Sequence, residues 1–356
     1  MLNWLGKRGA SPIGIDLGSR WVKLVQFSRD RKQVLAAGRW ELAPLPTDTP
    51  EPKLQQLREE QLALTIRRAF TERKFVGRDV VLCLSDKQIF LQNVRVAKPE
   101  GESLDRLVAH EASGRIPFSM DEAEIRYLEV ADVRQGEQTL REVIVFACQR
   151  SVLQSLLSAV EGARLTPLAV DVEPAALLRS YGMQFRREGD AQERALMVHM
   201  GQERTAAVIM RGTEMLFVKY IDIGGSQLDA AVARHLRMEP AEAAALRRSS
   251  GDRRADLQDP DVIRGVQEAI RPVIDRLAGE LSMCVRYHSV TFRGQPLVRL
   301  VLGGGEATPH LVDCLTKQLN LKCELSDPFR AMTCSQKLSR TGIWDVAAGL
   351  ALRDLN

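Results

Sequence analysis

The chain has 356 residues, of which 45% are hydrophobic and 27% are charged, and its formal net charge is only +4 at pH 7. This length predicts two domains or one large two-lobed unit, and so small a net charge gives at most weak support for nucleic acid or anionic lipid as a partner. No apolar run approaches the roughly 18 residues of a membrane helix, and the N-terminus lacks the apolar core of a signal peptide.

The N-terminus and the cysteines bear on location. Residues 1–8 (MLNWLGKR) combine apolar and basic side chains, but a segment this short favours a frayed terminus over a membrane anchor. The six cysteines are scattered, without a Cys-x-x-Cys pair or zinc-ligand spacing to a histidine: Cys83, Cys148, Cys284, Cys314, Cys323 and Cys334. We therefore expect a protein of the reduced cytoplasm, with Cys83 and Cys148 in its core.

In chain order, the first half alternates strands with helices. Hydrophobic periodicity predicts strands over 13–27 (as two successive strands), 33–42, 79–84, 89–96, 124–130, 140–148 and 165–172. It predicts helices over 53–73, 102–113, 151–162 and 173–182. The proline-rich segment from Pro44 to Pro52 is expected to be a loop.

The second half repeats this order of three strands followed by helices and further strands. Strands are predicted over 195–200, 205–210, 215–221, 297–302 and 321–325, and helices over 227–236, 262–288, 308–319 and 343–352. The highly charged stretch from Arg247 to Asp261 is expected to be an exposed loop between helices. Duplicated α/β halves predict a ligand-binding cleft between two lobes.

The most informative segment is residues 13–19 (IGIDLGS), in which an apolar strand enters a glycine corner. Backbone N–H groups at such a corner suit a phosphate, and the carboxylate of Asp16 is placed to order a metal-bound water. Ser19 adds a hydroxyl donor, and Lys23 could reach a phosphate from the next strand. The alternatives are a plain hairpin and a solvated lysine.

Three glycine turns in the second half could complete a site. Gly201 follows a strand that carries His199, although a histidine satisfied by a backbone carbonyl is favoured there over a metal ligand. Gly224 and Gly225 precede a helix N-terminus that could bind an anion. The segment 303–306 (GGGE) suits backbone packed against an adenine or ribose as well as it suits a tight turn.

Catalytic patterns are missing from the sequence. There is no Gly-x-Ser-x-Gly, His-Glu-x-x-His or Walker A segment, and the five histidines do not cluster. The pair Asp121-Glu122 lies in a polar turn, where solvated charge is the default. No nucleophile or general base is therefore predicted.

Six segments in order resemble the PilM family of actin-like type IV pilus assembly proteins, which is similar to the division protein FtsA. They are residues 14–19 with Lys23, 111–118 (EASGRIPF), 170–173 (VDVE), 223–228 (IGGSQL), 302–305 (LGGG) and 347–353 (AAGLALR). The likeness covers nearly the whole chain. The segment around Glu111, Ala112 and Ile116-Pro117-Phe118 is the one typical of PilM in particular.

The resemblance implies an α/β, actin-like (ribonuclease H-like) fold with two lobes and an inserted FtsA-type subdomain. The implied division is a flexible N-terminus (1–11), subdomain 1A (12–87), inserted subdomain 1C (88–160), a return to the first lobe (161–190), subdomain 2A (191–225), subdomain 2B (226–296) and the second-lobe core with the closing helix (297–356).

The resemblance also implies ATP with Mg²⁺ between the lobes. The implied nucleotide-binding residues are Asp16, Gly18, Ser19, Arg20, Lys23, His199, Gly201, Gly224, Gly225, Arg247, Gly303, Gly304, Gly305 and Glu306, with Asp16 holding Mg²⁺ through water. Three departures from the family weaken this site. His199 replaces the usual second aspartate, Ala244 replaces a glutamate, and Arg247 replaces a lysine, so we expect weak nucleotide binding and no useful hydrolysis.

The resulting hypothesis is a non-enzymatic cytoplasmic scaffold that reaches the inner membrane through a partner. That partner is the N-terminal cytoplasmic peptide of a PilN-type membrane protein, bound near the junction of the first lobe and the inserted subdomain; other platform proteins and self-association are further expectations. The alternatives are an ATPase or sugar kinase of the same superfold, an FtsA-like filament former, and the cytoplasmic region of a type II secretion platform protein.

Overall fold

The computed structural model describes residues 9–43, 45, 50–97, 103–135, 138–185, 188–250, 259–292, 295–336, 338 and 340–354. The described residues fall into two compact units. Unit 1 comprises those of Met1–Gln192, Met210–Val218 and Asp327–Asn356, and unit 2 comprises those of Glu193–Ile209 and Lys219–Ser326. The predicted subdomain boundaries remain predictions.

Unit 1 is built around a six-stranded sheet. Its strands are β1 (Ile13–Leu17), β2 (Trp21–Phe27), β3 (Gln33–Glu41), β4 (Asp79–Leu84), β8 (Thr166–Val172) and β14 (Thr333–Cys334). The order across the sheet is β14-β3-β2-β1-β4-β8. The strands β1, β2 and β3 are antiparallel neighbours, whereas β4 is parallel to β1. The sheet is covered on both faces because alternate strand residues supply two apolar clusters.

Helices α1 (Glu51–Glu72) and α3 (Arg150–Gly162) supply residues to one cluster together with Ile13, Ile15 and Leu24. The other cluster joins Val25 and Phe27 to helix α9 (Asp345–Ala351). Two glycines allow α9 to approach its neighbours closely. A Cβ on Gly14 would lie 2.0 Å from the carbonyl oxygen of Ala347, and a Cβ on Gly349 would lie 1.8 Å from that of Ala176 in α4 (Glu173–Gln184).

A three-stranded antiparallel sheet adjoins this core in unit 1. It consists of β5 (Phe90–Ala97), β6 (Ala123–Gln135) and β7 (Gln138–Gln149), in the order β5-β7-β6. One face packs on α2 (Leu104–Ser113), and Ile116 and Phe118 pack beside Ala123 and Ala147. The sheet is joined firmly to the first one because Cys148 at the end of β7 and Leu156 in α3 belong to the same cluster as Ile13.

Unit 2 contains most of a five-stranded sheet with the order β11-β10-β9-β12-β13. The strands of this sheet are β9 (Arg194–Met200), β10 (Thr205–Arg211), β11 (Glu214–Ile221), β12 (Arg299–Gly303) and β13 (Cys323–Leu325). The helices of unit 2 are α5 (Gly225–Leu236), α6 (Pro240–Ser250), α7 (Pro260–Thr291) and α8 (Pro309–Leu319). A separate cluster of apolar side chains joins α5, α6 and α7.

The predicted strands and helices agree with these elements to within a few residues, and two expectations were wrong. Arg247 does not begin an exposed loop: it lies in α6 and is buried, and only residues 251–258 of that stretch fall outside the described residues. Helix α1 begins inside the expected proline loop, because a proline in the first helical turn loses no hydrogen bond. The prediction for residues 1–8 lies outside the described residues.

Cys83 and Cys148 are buried, as expected, and burial raises the pKa of both thiols. Among the described residues, no helix is both long and apolar enough to cross a bilayer. Within the same residues, no cluster of three histidine, cysteine or acidic side chains could hold a metal ion.

Candidate functional site

The first glycine corner joins β1 to β2 in unit 1. The N–H group of Gly18 donates to the carbonyl oxygen of Trp21 at 3.1 Å, which closes the turn. The hairpin register places Asp16 opposite Lys23. The Lys23 ammonium donates to Asp16 Oδ2 at 2.6 Å, and the two side chains are only 11% and 9% exposed. Lys23 is therefore not a solvated lysine, and the charge of Asp16 is balanced within the chain.

The neighbouring residues of this corner point to other partners. Arg20 Nε donates to Glu41 Oε1 on β3 at 2.7 Å, and its guanidinium carbon lies 5.9 Å from the ring centre of Trp21. Ser19 is exposed. Of the five predicted residues in unit 1, the structure thus brings Asp16, Gly18 and Lys23 together, whereas Arg20 pairs with the adjacent strand.

The second corner joins β9 to β10 in unit 2 and receives the start of α5. The N–H group of Gly225 donates to the carbonyl oxygen of Gly201 at 3.0 Å, and that of Ser226 donates to Gln202 at 2.7 Å. The N–H group of Gly224 donates to the side chain of Gln227 at 2.8 Å. These three donors, which an anion at the helix N-terminus would need, are hydrogen-bonded within the chain.

His199 is buried on β9, and its neighbour on β12 is Gly303. The turn after β12 crosses the same strand end. Gly304 has a φ of +96°, and a Cβ there would lie 2.3 Å from the carbonyl oxygen of Met200, so only glycine fits this position. The N–H group of Glu306 donates to the same carbonyl at 3.2 Å. The structure therefore brings the predicted second corner and the glycine turn together.

Arg247 on α6 connects these parts of unit 2. Its Nε donates to Asp229 Oδ1 on α5 at 2.7 Å, and its Nη1 donates to Glu306 Oε2 at 2.6 Å. A longer contact of 3.5 Å joins Nη2 to the carbonyl oxygen of Gly225. All three charged side chains are at least 88% buried. Burial acts to lower the pKa of Arg247, but the two carboxylates outweigh it and the pKa is raised.

Asp229 and Gln202 belong to this site, although sequence reasoning did not select them. Asp229 also accepts from Gln202 Nε2 at 3.2 Å and from Arg248 Nη2 at 3.3 Å. The spacing of 18 residues between Asp229 and Arg247 gives no local signal. Only the pairing of α5 with α6 brings them together, and α6 itself was missed.

A cavity of about 680 Å³ lies beside Asp229 within unit 2. It runs between α5 and α6, and its walls combine small apolar residues with a few polar ones: Gln202, Ser226, Asp229, Ala230, Ala233, Arg234, Met238, Pro240, Ala241 and Ala244. Ala244, for which the resemblance implies a glutamate, is one of these wall residues.

The predicted residues thus form two groups. Asp16, Gly18, Ser19, Arg20 and Lys23 lie in unit 1, and the other predicted residues lie in unit 2. That the two groups face each other across one cleft remains a prediction. In both groups the buried charges are already paired, and in unit 2 the N–H groups that begin α5 are hydrogen-bonded as well.

Several known proteins are similar to this chain. A family model described as type IV pilus assembly protein PilM matches residues 14–355. A solved structure described as a PilM–PilN type IV pilus biogenesis complex matches with a TM-score of 0.77 and 24% identity, covering 98% of this chain and all of that one. The ethanolamine utilization protein EutJ from Carboxydothermus hydrogenoformans matches with a TM-score of 0.54 and 14% identity, covering 99% of this chain and 92% of that one. These likenesses confirm the expected actin-like fold.

Proposed function

Since the chain belongs to the type IV pilus assembly PilM family, we propose that it is a cytoplasmic scaffold of the pilus assembly platform which binds the N-terminal peptide of a PilN-type inner-membrane protein. Its position is peripheral, at the inner membrane, because the partner supplies the membrane anchor. Other platform proteins and further copies of the chain are additional candidate partners.

The peptide-binding surface is proposed for unit 1, near the junction of its two sheets. The solved PilM–PilN complex matches nearly the whole of this chain, which includes the three-stranded sheet and α2. Because β7 and α3 share one apolar cluster with β1, this junction is a rigid platform rather than a hinged attachment. A rigid surface binds a short peptide with little ordering cost on the protein side.

Nucleotide binding is proposed to be weak, and hydrolysis is not part of the function. The observation that carries this proposal is the internal pairing of the site: Lys23 neutralises Asp16, and Arg247 is held by two carboxylates. A polyphosphate would have to displace these bonds before gaining its own. His199 offers no carboxylate to a hydrated Mg²⁺.

Calorimetry tests both parts of the proposal separately. The full chain is titrated with a synthetic N-terminal peptide of the neighbouring PilN-type membrane protein, with a scrambled peptide of the same composition as control, and independently with ATP and Mg²⁺. We expect specific peptide binding and faint ATP binding. Equal binding of both peptides would refute the scaffold proposal, and tight ATP binding with phosphate release lost in Asp16→Ala would favour an ATPase instead.

Photocrosslinking locates the peptide. A peptide that carries a photoreactive side chain is irradiated with the full chain, and the adducts are mapped by mass spectrometry. We expect adducts in residues 12–190, close to the two adjoining sheets of unit 1. Adducts concentrated on α7 or α8 of unit 2 would contradict the proposed surface.

A further inference from the structure

Arg247 has an arrangement that neither a nucleotide ligand nor a surface arginine requires. Its guanidinium bonds to one carboxylate on α5 and to another on the turn after β12, while its own backbone lies in α6. Three separate segments of unit 2 thus meet at one side chain. The planar fork of an arginine can hold two carboxylates at once, which a lysine ammonium does less well.

The surrounding backbone is adapted to this bridge. Glu306 lies against Gly225, where a Cβ would come within 2.5 Å of Glu306 Oε1, so a larger residue would push the carboxylate away from Arg247. Asp229 is fixed in turn by Gln202 and Arg248. The network is therefore a built feature with several supporting contacts. Removing the charge of Arg247 would take away the ion-pair partner of the buried Glu306 carboxylate, whereas Asp229 would keep Arg248.

We infer that Arg247 is a positioning residue that does inside unit 2 what a bound nucleotide would otherwise do: it joins α5, α6 and the glycine turn into one ordered body. This inference rests on the nucleotide part of the proposed function and extends it. Unit 2 is then ordered without ligand, and a nucleotide competes with the network instead of completing it. Weak nucleotide binding follows from the cost of that competition.

Two variants separate this role from a direct role in nucleotide binding. In Arg247→Lys, the ammonium keeps the charge but cannot reproduce the forked bridge, so α5 and α6 should lose hydrogen-exchange protection and ATP–Mg²⁺ should restore it. In Glu306→Gln, Arg247 loses one of its two carboxylate partners, so less free energy is needed to displace it. ATP should therefore bind at least about threefold more tightly to this variant than to the wild type.

The readout is hydrogen exchange of the full chain with and without ATP–Mg²⁺, together with calorimetry for affinity. Asp222→Asn is the matched control, since it removes an exposed carboxylate near the start of α5 that pairs with Arg204 and not with Arg247. We expect wild type and Asp222→Asn to be well protected in α5 and α6 and unchanged by ATP.

Three outcomes would overturn the inference. One is a wild-type chain that ATP strongly protects, with that effect abolished in Arg247→Lys, because Arg247 would then be a nucleotide ligand. Another is unchanged protection in Arg247→Lys. The third is an equal gain of affinity in Asp222→Asn and Glu306→Gln, because a general charge effect would then explain it. Peptide binding by the wild type is measured independently, so failure here is distinct from failure of the scaffold proposal.

Discussion

The glycine corner of unit 1 and the glycine turns of unit 2 each contain a buried cation, held in different ways. In unit 1, Lys23 and Asp16 come from adjacent strands of one hairpin, so the pair forms as soon as the hairpin does. In unit 2, Arg247 joins groups from three segments that are far apart in the chain. The charge pair of unit 1 is therefore local, whereas the charge network of unit 2 depends on the assembled unit.

The largest effect is expected from the glycines that shape the two corners. Gly304→Ala should destabilise unit 2 by about 4 kcal/mol, because it combines a positive φ with a clash against the backbone of Met200. Gly18→Ala should cost only about 1 kcal/mol, because its nearest atom, Trp21 O, lies 3.0 Å from the added Cβ. Urea unfolding of both variants measures the difference in free energy of unfolding. Equal losses would show that the two turns require glycine to the same degree.

The next effect concerns the local pair. Lys23→Met should destabilise the chain by about 3 kcal/mol, because it leaves Asp16 buried without its partner. The double variant Asp16→Asn with Lys23→Met should recover most of that loss, since neither residue is then charged. The described tryptophans Trp21, Trp40 and Trp344 all lie in unit 1, so tryptophan fluorescence during urea unfolding follows this unit. A double variant as unstable as Lys23→Met would mean that the pair is not independent of its surroundings.

Acid should affect unit 2 through His288. Arg194 Nη1 lies 3.1 Å from Nε2 of this buried histidine, so that nitrogen accepts and the ring is neutral. Burial, followed by the charge of Arg194, lowers the pKa of His288 to about 4. The histidine of the unfolded chain binds its proton near pH 6.5. The contribution of neutral His288 to the stability of the folded state is therefore complete above that pH and is lost as the pH falls towards 4.

The free energy of unfolding should fall by on the order of 2 kcal/mol between pH 6.5 and pH 4 because of His288. Hydrogen exchange of α7 at pH 6.5 and pH 4.5 measures it, after correction for the intrinsic exchange rate. His288→Gln keeps an acceptor for Arg194 without titrating, so it should show a smaller fall. An identical fall in the variant would assign the acid sensitivity to other groups.

The smallest effect should come from making the second corner resemble the first. His199→Asp places a carboxylate near the end of β9, so ATP affinity should rise about fivefold with Mg²⁺ present and should not rise without it. His199→Asn is the control that changes the residue without adding charge. Calorimetry with and without Mg²⁺ distinguishes a metal effect from a general loosening of the strand.

The sequence predicted the local features better than the assembled ones. The β1–β2 hairpin was predicted because apolar strands flank a glycine corner, although the pairing of Lys23 with Asp16 follows only from the register. Helix α6 was missed because the charged run around Arg247 resembles a solvated loop. The bridge from Arg247 to Glu306 spans 59 residues, and no local pattern encodes such a contact.

The position of α9 affects how the chain folds during its synthesis. This helix lies near the end of the described chain, yet it packs on β1, which lies near the beginning, with glycines at the contact. The apolar side chains Val25 and Phe27 are therefore covered only after residues 343–352 have been synthesised. Until then these side chains are an exposed apolar surface on the nascent chain, which favours chaperone binding.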